Sequence, residues 1–189
     1  PQDRHGMRMD LLEKVLARLA KRKKKPKFIY VVPDFQNPSG VTMTVERRKR
    51  LLELAYQHEV PILEDSPYRE LRYTGETVPA IYGLDTENQV MVLGTFSKLL
   101  CPGLRLAWIM APHEWMDRMV VAKQGMDLCS PTYTQLIGAE YMKRRLLLQQ
   151  IEKIREIYGR KLQVMLKALK KYMPKGVKWT QPEGGLFLW

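Results

Sequence analysis

The residues with the clearest chemical potential lie in one stretch, Gly94 to Trp108. A single lysine, Lys98, follows a glycine and two hydroxyl residues, and Arg105 comes after a Pro-Gly turn signal. A lysine amine can form an imine with an aldehyde, hydroxyl groups can hydrogen-bond phosphate oxygens, and arginine can bind phosphate as a fork. This spacing suits an electrophile that carries a phosphate. On spacing alone, a solvated lysine and an arginine in a surface ion pair remain an equal alternative.

Further polar groups follow two predicted strands earlier in the chain. The apolar run Val60–Leu63 leads to Asp65 and Tyr68, and the run Phe28–Val32 leads to a turn-rich segment that contains Asn37. In open α/β sheets, ligands bind at the carboxyl ends of the strands. We therefore expect these groups to lie near the lysine. Taken singly, Asp65 suits a turn or helix cap, and Asn37 suits an ordinary Asn-Pro turn.

The elements that must position these groups alternate between strands and helices, which predicts an α/β fold with a largely parallel sheet. Apolar spacing predicts helices over about 10–21, 44–58 and 113–123, and strands over 28–32, 60–63, 90–93 and 106–111. Thr44 is the expected N-cap of the second helix. A long helical region, interrupted near Arg145, is expected to end at about Tyr172. The residues after it are typical of the beginning of a second sheet.

Charge, hydropathy and cysteine spacing argue against a nucleic-acid-binding, membrane-spanning or metal-binding protein. The formal net charge of +12 raises nucleic acid as a partner, but the basic run Lys21–Lys25 has no interleaved aromatics and reads as a solvated face. No apolar run approaches the ~18 residues of a membrane span. Cys101 and Cys129 lack metal-ligand spacing, which indicates a reducing, cytoplasmic location. We expect both to be buried small hydrophobes.

Three segments, in order, resemble class I/II, fold-type I pyridoxal-phosphate (PLP) aminotransferases. They are Asn37-Pro38-Ser39-Gly40, then Asp65-Ser66-Pro67-Tyr68, then Thr95-Phe96-Ser97-Lys98 with Pro102-Gly103-Leu104-Arg105-Leu106-Ala107-Trp108. Gln36 and the segment 182–189 look most like the 2-aminoadipate and kynurenine aminotransferase branch. The aminotransferase-like domain of MocR transcription regulators is similar as well.

The resemblance implies a role for each polar group. Lys98 would hold PLP and act as the catalytic base and acid, and Asp65 would face the pyridine nitrogen. The other implied cofactor-binding residues are two donors to the ring oxygen and three phosphate ligands: Asn37, Tyr68, Thr95, Ser97 and Arg105. No metal is implied.

The resemblance also implies an architecture. Residues 1–130 would form part of a three-layer α/β/α PLP-binding large domain, 131–172 a long helical connection, and 173–189 the beginning of a smaller α+β domain. Because the sequence does not begin with Met, we expect it to start inside a longer chain. In this family the aromatic that stacks on PLP, the helix that cups its phosphate and the arginine for the substrate carboxylate would lie outside these residues.

The function implied is ping-pong transamination between an amino acid and a 2-oxo acid, in a cytoplasmic homodimer that does not enter a membrane. The alternative is a MocR/GntR-type transcription regulator that binds PLP and senses an effector. Nucleic acid would be a partner only in that case, through an N-terminal DNA-binding domain. Another PLP enzyme, such as a lyase or decarboxylase, also stays open because one fold hosts several chemistries.

Overall fold

A four-stranded mixed sheet is the centre of the fold. The computed structural model describes all residues from 1 to 189. The strands are β1 (Gln2–Asp3), β2 (Gly6–Met7), β3 (Ile29–Val31), β4 (Ile62–Asp65), β5 (Val90–Thr95) and β6 (Ala107–Met110). The helices are α1 (Met9–Lys21), α2 (Val45–His58), α3 (His113–Met126), α4 (Thr132–Lys143) and α5 (Leu146–Tyr172). Short 3₁₀ turns span Tyr82–Leu84 and Pro102–Leu104.

The order of the strands brings three strand ends together. The sheet runs β3-β4-β5-β6, with β3, β4 and β5 parallel and β6 antiparallel to β5, while β1 and β2 form a separate hairpin. Parallel strands end at the same edge of a sheet, so the residues after β3, β4 and β5 share one edge. The predicted α/β fold with a mostly parallel sheet is confirmed.

One face of this sheet is packed and the other is open. Ile29 and Val31 of β3 are buried in the same apolar cluster as Leu16 of α1 and Leu51 of α2, whereas Tyr30 between them is 50% exposed. Successive side chains of a strand point to opposite faces, which explains the alternation. The open face carries Tyr30 and, by register, Leu63 and Asp65.

The start of α2 and the break between α4 and α5 lie where the sequence predicts them. The Thr44 side chain accepts a hydrogen bond from the Arg47 N–H at 3.4 Å, and α2 ends at Glu59 in the left-handed region with φ 49°. Arg145, also left-handed with φ 58°, separates α4 from α5, which is the expected interruption. No helix is both long enough and apolar enough to cross a bilayer.

Two expectations differ from the structure. Cys101 and Cys129 are exposed, not buried, because both lie in connections between elements and not on a face that packs on the core. Residues after α5 form no strand, and their one ladder contact is an isolated bridge between Gly184 and Arg72. The division into a large and a small domain stays a prediction.

Candidate functional site

Asp65, the last residue of β4, supplies a carboxylate at the shared edge. Its Oδ2 accepts a hydrogen bond from the Tyr30 hydroxyl at 2.6 Å. The register places Tyr30 beside Leu63, two residues before Asp65, so the two side chains project from the same face. Glu64 points the other way, is fully buried, and accepts from the backbone N–H groups of Ile81 and Tyr82. The alternation of the strand thus gives two adjacent carboxylates different roles.

Tyr68 lies near both Asp65 and Asn37. The Tyr68 side chain is buried, which raises the pKa of its phenol, while the neighbouring Asn37 side chain lowers it and the Asp65 charge raises it. Burial is the largest of these effects, so the phenol stays protonated near neutral pH. Three of the predicted residues therefore come together, with an amide, a phenol and a carboxylate in one cluster.

A buried arginine fixes the loop that carries Asn37. The Arg48 side chain is fully buried, donates to Asp34 Oδ1 at 2.7 Å, and also reaches the backbone oxygens of Pro33, Met43 and Pro79. Arg69, next to Tyr68, donates to the other oxygen of Asp34 at 3.2 Å. The same carboxylate therefore ties the Asn37 loop to the Tyr68 loop.

The burial of Arg48 is not among the expectations from the sequence, although its position in the helix indicates it. Position 48 falls on the same helical face as Leu51, Leu52 and Ala55, all of which are buried. An arginine at that spacing indicates either a snorkelling surface residue or a buried ion pair. The acceptors that decide between them come from distant parts of the chain.

One side-chain and one backbone hydrogen bond close the turn of the Asn37 loop. The Asn37–Pro38 peptide bond is cis. The Gln36 side-chain oxygen accepts from the Ser39 hydroxyl at 2.7 Å, and the Gly40 N–H donates to the Gln36 backbone oxygen at 2.6 Å. These contacts leave Asn37 itself exposed at the edge of the sheet.

The loop after β5 presents the lysine. The Thr95 hydroxyl donates to Ser97 Oγ at 3.0 Å, and the Ser97 N–H donates to Thr95 Oγ1 at 3.1 Å. The turn winds around buried Phe96, whose backbone oxygen accepts from the N–H groups of residues 99, 100 and 101. Lys98 is exposed, and its ammonium contacts neither a carboxylate nor a hydrogen-bond acceptor.

Arg105 ends the same loop with its guanidinium largely free. Its backbone is left-handed, with φ 50°, directly after the 3₁₀ turn. The exposed side chain makes one hydrogen bond, from Nη1 to the Pro102 oxygen at 3.2 Å. Since a guanidinium carries five N–H donors, most of them stay available to an anion.

The pairing of β5 with β6 holds this loop in place and requires a glycine. A Cβ at Gly94 would lie 2.1 Å from a ring carbon of Trp108, its cross-strand partner. Real Cβ atoms do not approach a ring so closely, so only glycine allows the indole to cross the strand here. Trp108 therefore packs directly against the strand that carries the lysine loop.

The chain's last residues return to the loops of the site. The backbone at Gly184 packs so closely on the Phe35 ring that a Cβ there would lie 2.5 Å from it. Phe187 meets Tyr68 edge to face, with ring centroids 5.4 Å apart. Tyr73 donates to the Gly185 oxygen at 2.5 Å. The sequence pattern predicts a second domain for this segment and does not predict these contacts.

Two clefts lie beside the C-terminal segment of the chain. A cavity of about 600 Å³ separates α5 from residues 177–189. Another, of about 710 Å³, lies between the N-terminal hairpin, residues 39–44 and residues 179–183. Neither is lined by Lys98 or Asp65. In this chain Lys98, Asn37 and Arg105 of the candidate site are exposed.

Comparison with known proteins identifies relatives of the whole chain. The family model for aminotransferase class I and II matches residues 1–189. The chain is 51% identical over 189 residues to aromatic-amino-acid aminotransferase 1 of Thermococcus litoralis, covering 100% of this chain and 45% of that relative. The chain thus spans about half the length of the curated relatives it matches.

Solved structures give the same result. The multiple substrate aminotransferase of Thermococcus profundus superimposes with a TM-score of 0.96 at 49% identity, covering 100% of this chain and 47% of that one. The kynurenine aminotransferase of Pyrococcus horikoshii, solved with PMP, KYN and KYA, gives a TM-score of 0.97 at 45% identity, with coverage of 100% and 46%.

Proposed function

This chain belongs to the class I and II aminotransferase family, and we propose that it carries the lysine side of the active site of a PLP-dependent amino-acid aminotransferase. One observation carries the proposal. Lys98, unpaired and exposed, stands between a hydroxyl pair and Arg105 on the sheet edge that also bears Asn37, Asp65 and Tyr68. An amine, an anion-binding group and a polar cluster on adjacent strand ends suit one phosphorylated aldehyde.

The donor set fits PLP group by group. The hydroxyls of Thr95 and Ser97 and the free N–H groups of Arg105 suit a phosphate. Oδ1 of Asp65 accepts no hydrogen bond within the chain, so it is free to face a protonated pyridine nitrogen. Tyr68 and Asn37 would both donate to the ring oxygen, since burial keeps the phenol protonated.

In the reaction, the residues of this chain would bind, orient and move one proton. PLP, when bound, withdraws electrons from the α-carbon of an amino acid. Asp65 would favour that withdrawal by holding a positive charge on the ring nitrogen. Lys98, released once the substrate amine takes its place, would carry the proton from the α-carbon as general base and return it as general acid.

The substrates proposed are an amino acid and a 2-oxo acid, and the relatives make aromatic amino acids the first donors to test. We also propose a homodimer. Large apolar side chains are exposed together on α3, α4 and their connection, among them Val121, Met126, Leu128, Tyr133 and Leu136. Exposed apolar patches of this kind mark interaction surfaces. The unpaired cysteines are consistent with the cytoplasm.

Two experiments test the function. Borohydride reduction of the PLP-loaded protein, followed by peptide mapping, should place the pyridoxyl group on Lys98. The Lys98→Arg variant should take no label, whereas Lys123→Arg, which changes an exposed lysine paired with Asp127, should be labelled normally. A label on another lysine would refute the assignment.

The second experiment separates an enzyme from a regulator. The PLP-loaded protein is mixed with single amino acids, and conversion of the cofactor to its amine form is followed by absorbance. An aminotransferase converts its cofactor with at least one amino acid and is restored by a 2-oxo acid. A sensor that binds PLP and effector but completes neither half-reaction would favour the regulator.

A further inference from the structure

Tyr30, on the strand next to β4, holds the Asp65 carboxylate by a hydrogen bond. Its hydroxyl oxygen lies 2.6 Å from Asp65 Oδ2, the distance expected of a hydrogen bond from a hydroxyl to an ionised carboxylate. It is also the only hydrogen bond of the Asp65 side chain. The carboxylate thus has one oxygen held by the protein and one oxygen left free.

We propose that Tyr30 is a positioning residue that holds the Asp65 carboxylate so that its second oxygen faces the pyridine nitrogen of PLP. The inference rests on the proposed function. Asp65 stands at the end of a strand, half-buried, and no other side chain holds its carboxylate by a hydrogen bond. A donor fixed on the neighbouring strand selects one orientation, and electrostatic groups act best when they are held in place before the reaction.

The hydroxyl of Tyr30 stays a donor over the whole working range. Partial burial, followed by the hydrogen bond with Asp65, raises the pKa of Tyr30 to about 12. The phenol therefore does not become a second anion beside Asp65 at neutral pH. Tyr68, the other phenol nearby, is also kept protonated by burial.

The side chain of Tyr30 contributes little to the packing of the core. The aromatic side chain is 50% exposed on the open face, while its neighbours Ile29 and Val31 fill the core at 8% and 5% exposure. Removing only the hydroxyl should therefore leave the fold unchanged. Tyr30→Phe makes that change and keeps the ring.

A matched control exists on α2. The Tyr56 hydroxyl donates to Asp85 Oδ1 at 2.7 Å, so Tyr56→Phe removes a bond of the same kind far from the site. In the holoenzyme, Tyr30→Phe should lower kcat about tenfold and change KM less than about twofold, as expected when one hydrogen bond to a charge is lost. Tyr56→Phe should change kcat less than about twofold.

The double variant tests whether Tyr30 acts through Asp65. In an Asp65→Asn background the further change Tyr30→Phe should have almost no effect on kcat, because the carboxylate it positions is gone. Equal losses in both backgrounds would overturn the proposal, as would a Tyr30→Phe enzyme with wild-type kcat. The pH at which the absorbance of bound PLP changes should also shift in Tyr30→Phe and not in Tyr56→Phe.

A measurement without cofactor tests the contact itself. In the cofactor-free protein, NMR titration of labelled tyrosine should give Tyr30 a pKa that falls when Asp65 is changed to Asn, because the charge that helps to raise it is removed. An unchanged pKa would refute the contact. A protein that binds no PLP would overturn the proposed function and the role of Tyr30 together. An active holoenzyme in which Tyr30→Phe is silent would overturn only the latter.

Discussion

Replacing Arg48 by Met should destabilise the protein more than any surface change on the same helix. Met has a similar length and no charge. The substitution leaves the Asp34 carboxylate, 3% exposed, with Arg69 as its only charged partner. It also removes the side-chain donor from the backbone oxygens of Met43 and Pro79.

The lost contacts determine the size of the destabilisation. Removing one partner of a buried ion pair costs about 3–5 kcal/mol, because the other charge stays buried. The buried carbonyl oxygen of Met43, left without this donor, adds to the cost, and Arg69 offsets part of it. We expect a loss of about 4 kcal/mol in the free energy of unfolding, a large share of the roughly 5–15 kcal/mol of a typical domain. Arg48→Lys, which keeps the charge but fewer donors, should lose less.

Arg50 provides the control. It lies on the same helix, pairs with Glu13 and Glu53, and is 39% exposed. Exposed pairs contribute about 0–1 kcal/mol, so Arg50→Met should change stability by no more than that. Urea unfolding followed by circular dichroism measures both variants. If Arg48→Met lost no more stability than Arg50→Met, the reasoning about the buried pair would be wrong.

Three further changes test other parts of the structure. Asp65→Asn should keep the fold and lower transamination by more than tenfold, and a smaller loss, under about 1.4 kcal/mol in the barrier, would make Asp65 a turn residue. Gly94→Ala should lower unfolding free energy by about 1–3 kcal/mol by displacing Trp108, whereas Gly83→Ala, with open space around it, should not. Burial raises the pKa of Tyr73 to about 12. The neutral phenol therefore contributes its full amount to the free energy of unfolding below pH 10, and this contribution is lost as the pH rises to about 12. Urea unfolding across that range should show a shallower decline in Tyr73→Phe than in the control Tyr82→Phe.

The parts of the site that the sequence predicted share one physical origin. Each comes after an apolar run that suits a buried strand, and parallel strands deliver the residues at their carboxyl ends to one edge. Asp65 and Lys98 are of this kind. Likewise, Thr44 marks the start of α2 because a hydroxyl cap satisfies an N–H within three residues along the chain.

The parts that the sequence did not predict depend on distant partners. Arg48 is buried because acceptors from residues 33, 34, 43 and 79 converge on it. Residues 184–187 pack on Phe35 and Tyr68 from more than a hundred positions away, which no local pattern encodes.

Arg48 is fully paired, whereas Lys98 and Arg105 in the loop after β5 are not, and this difference supports the proposed chemistry. A buried cation must be fully paired, since desolvation of an unpaired one costs several kcal/mol, and Arg48 meets this condition with acceptors for each of its nitrogens. A cation that is to bind an anion must instead keep its donors free. Lys98 pairs with no carboxylate, and Arg105 donates only to one backbone oxygen. The arginines on α2, in contrast, all pair with carboxylates of the chain. The loop thus presents two cations that no internal carboxylate neutralises, which is the arrangement that a phosphate-bearing aldehyde requires.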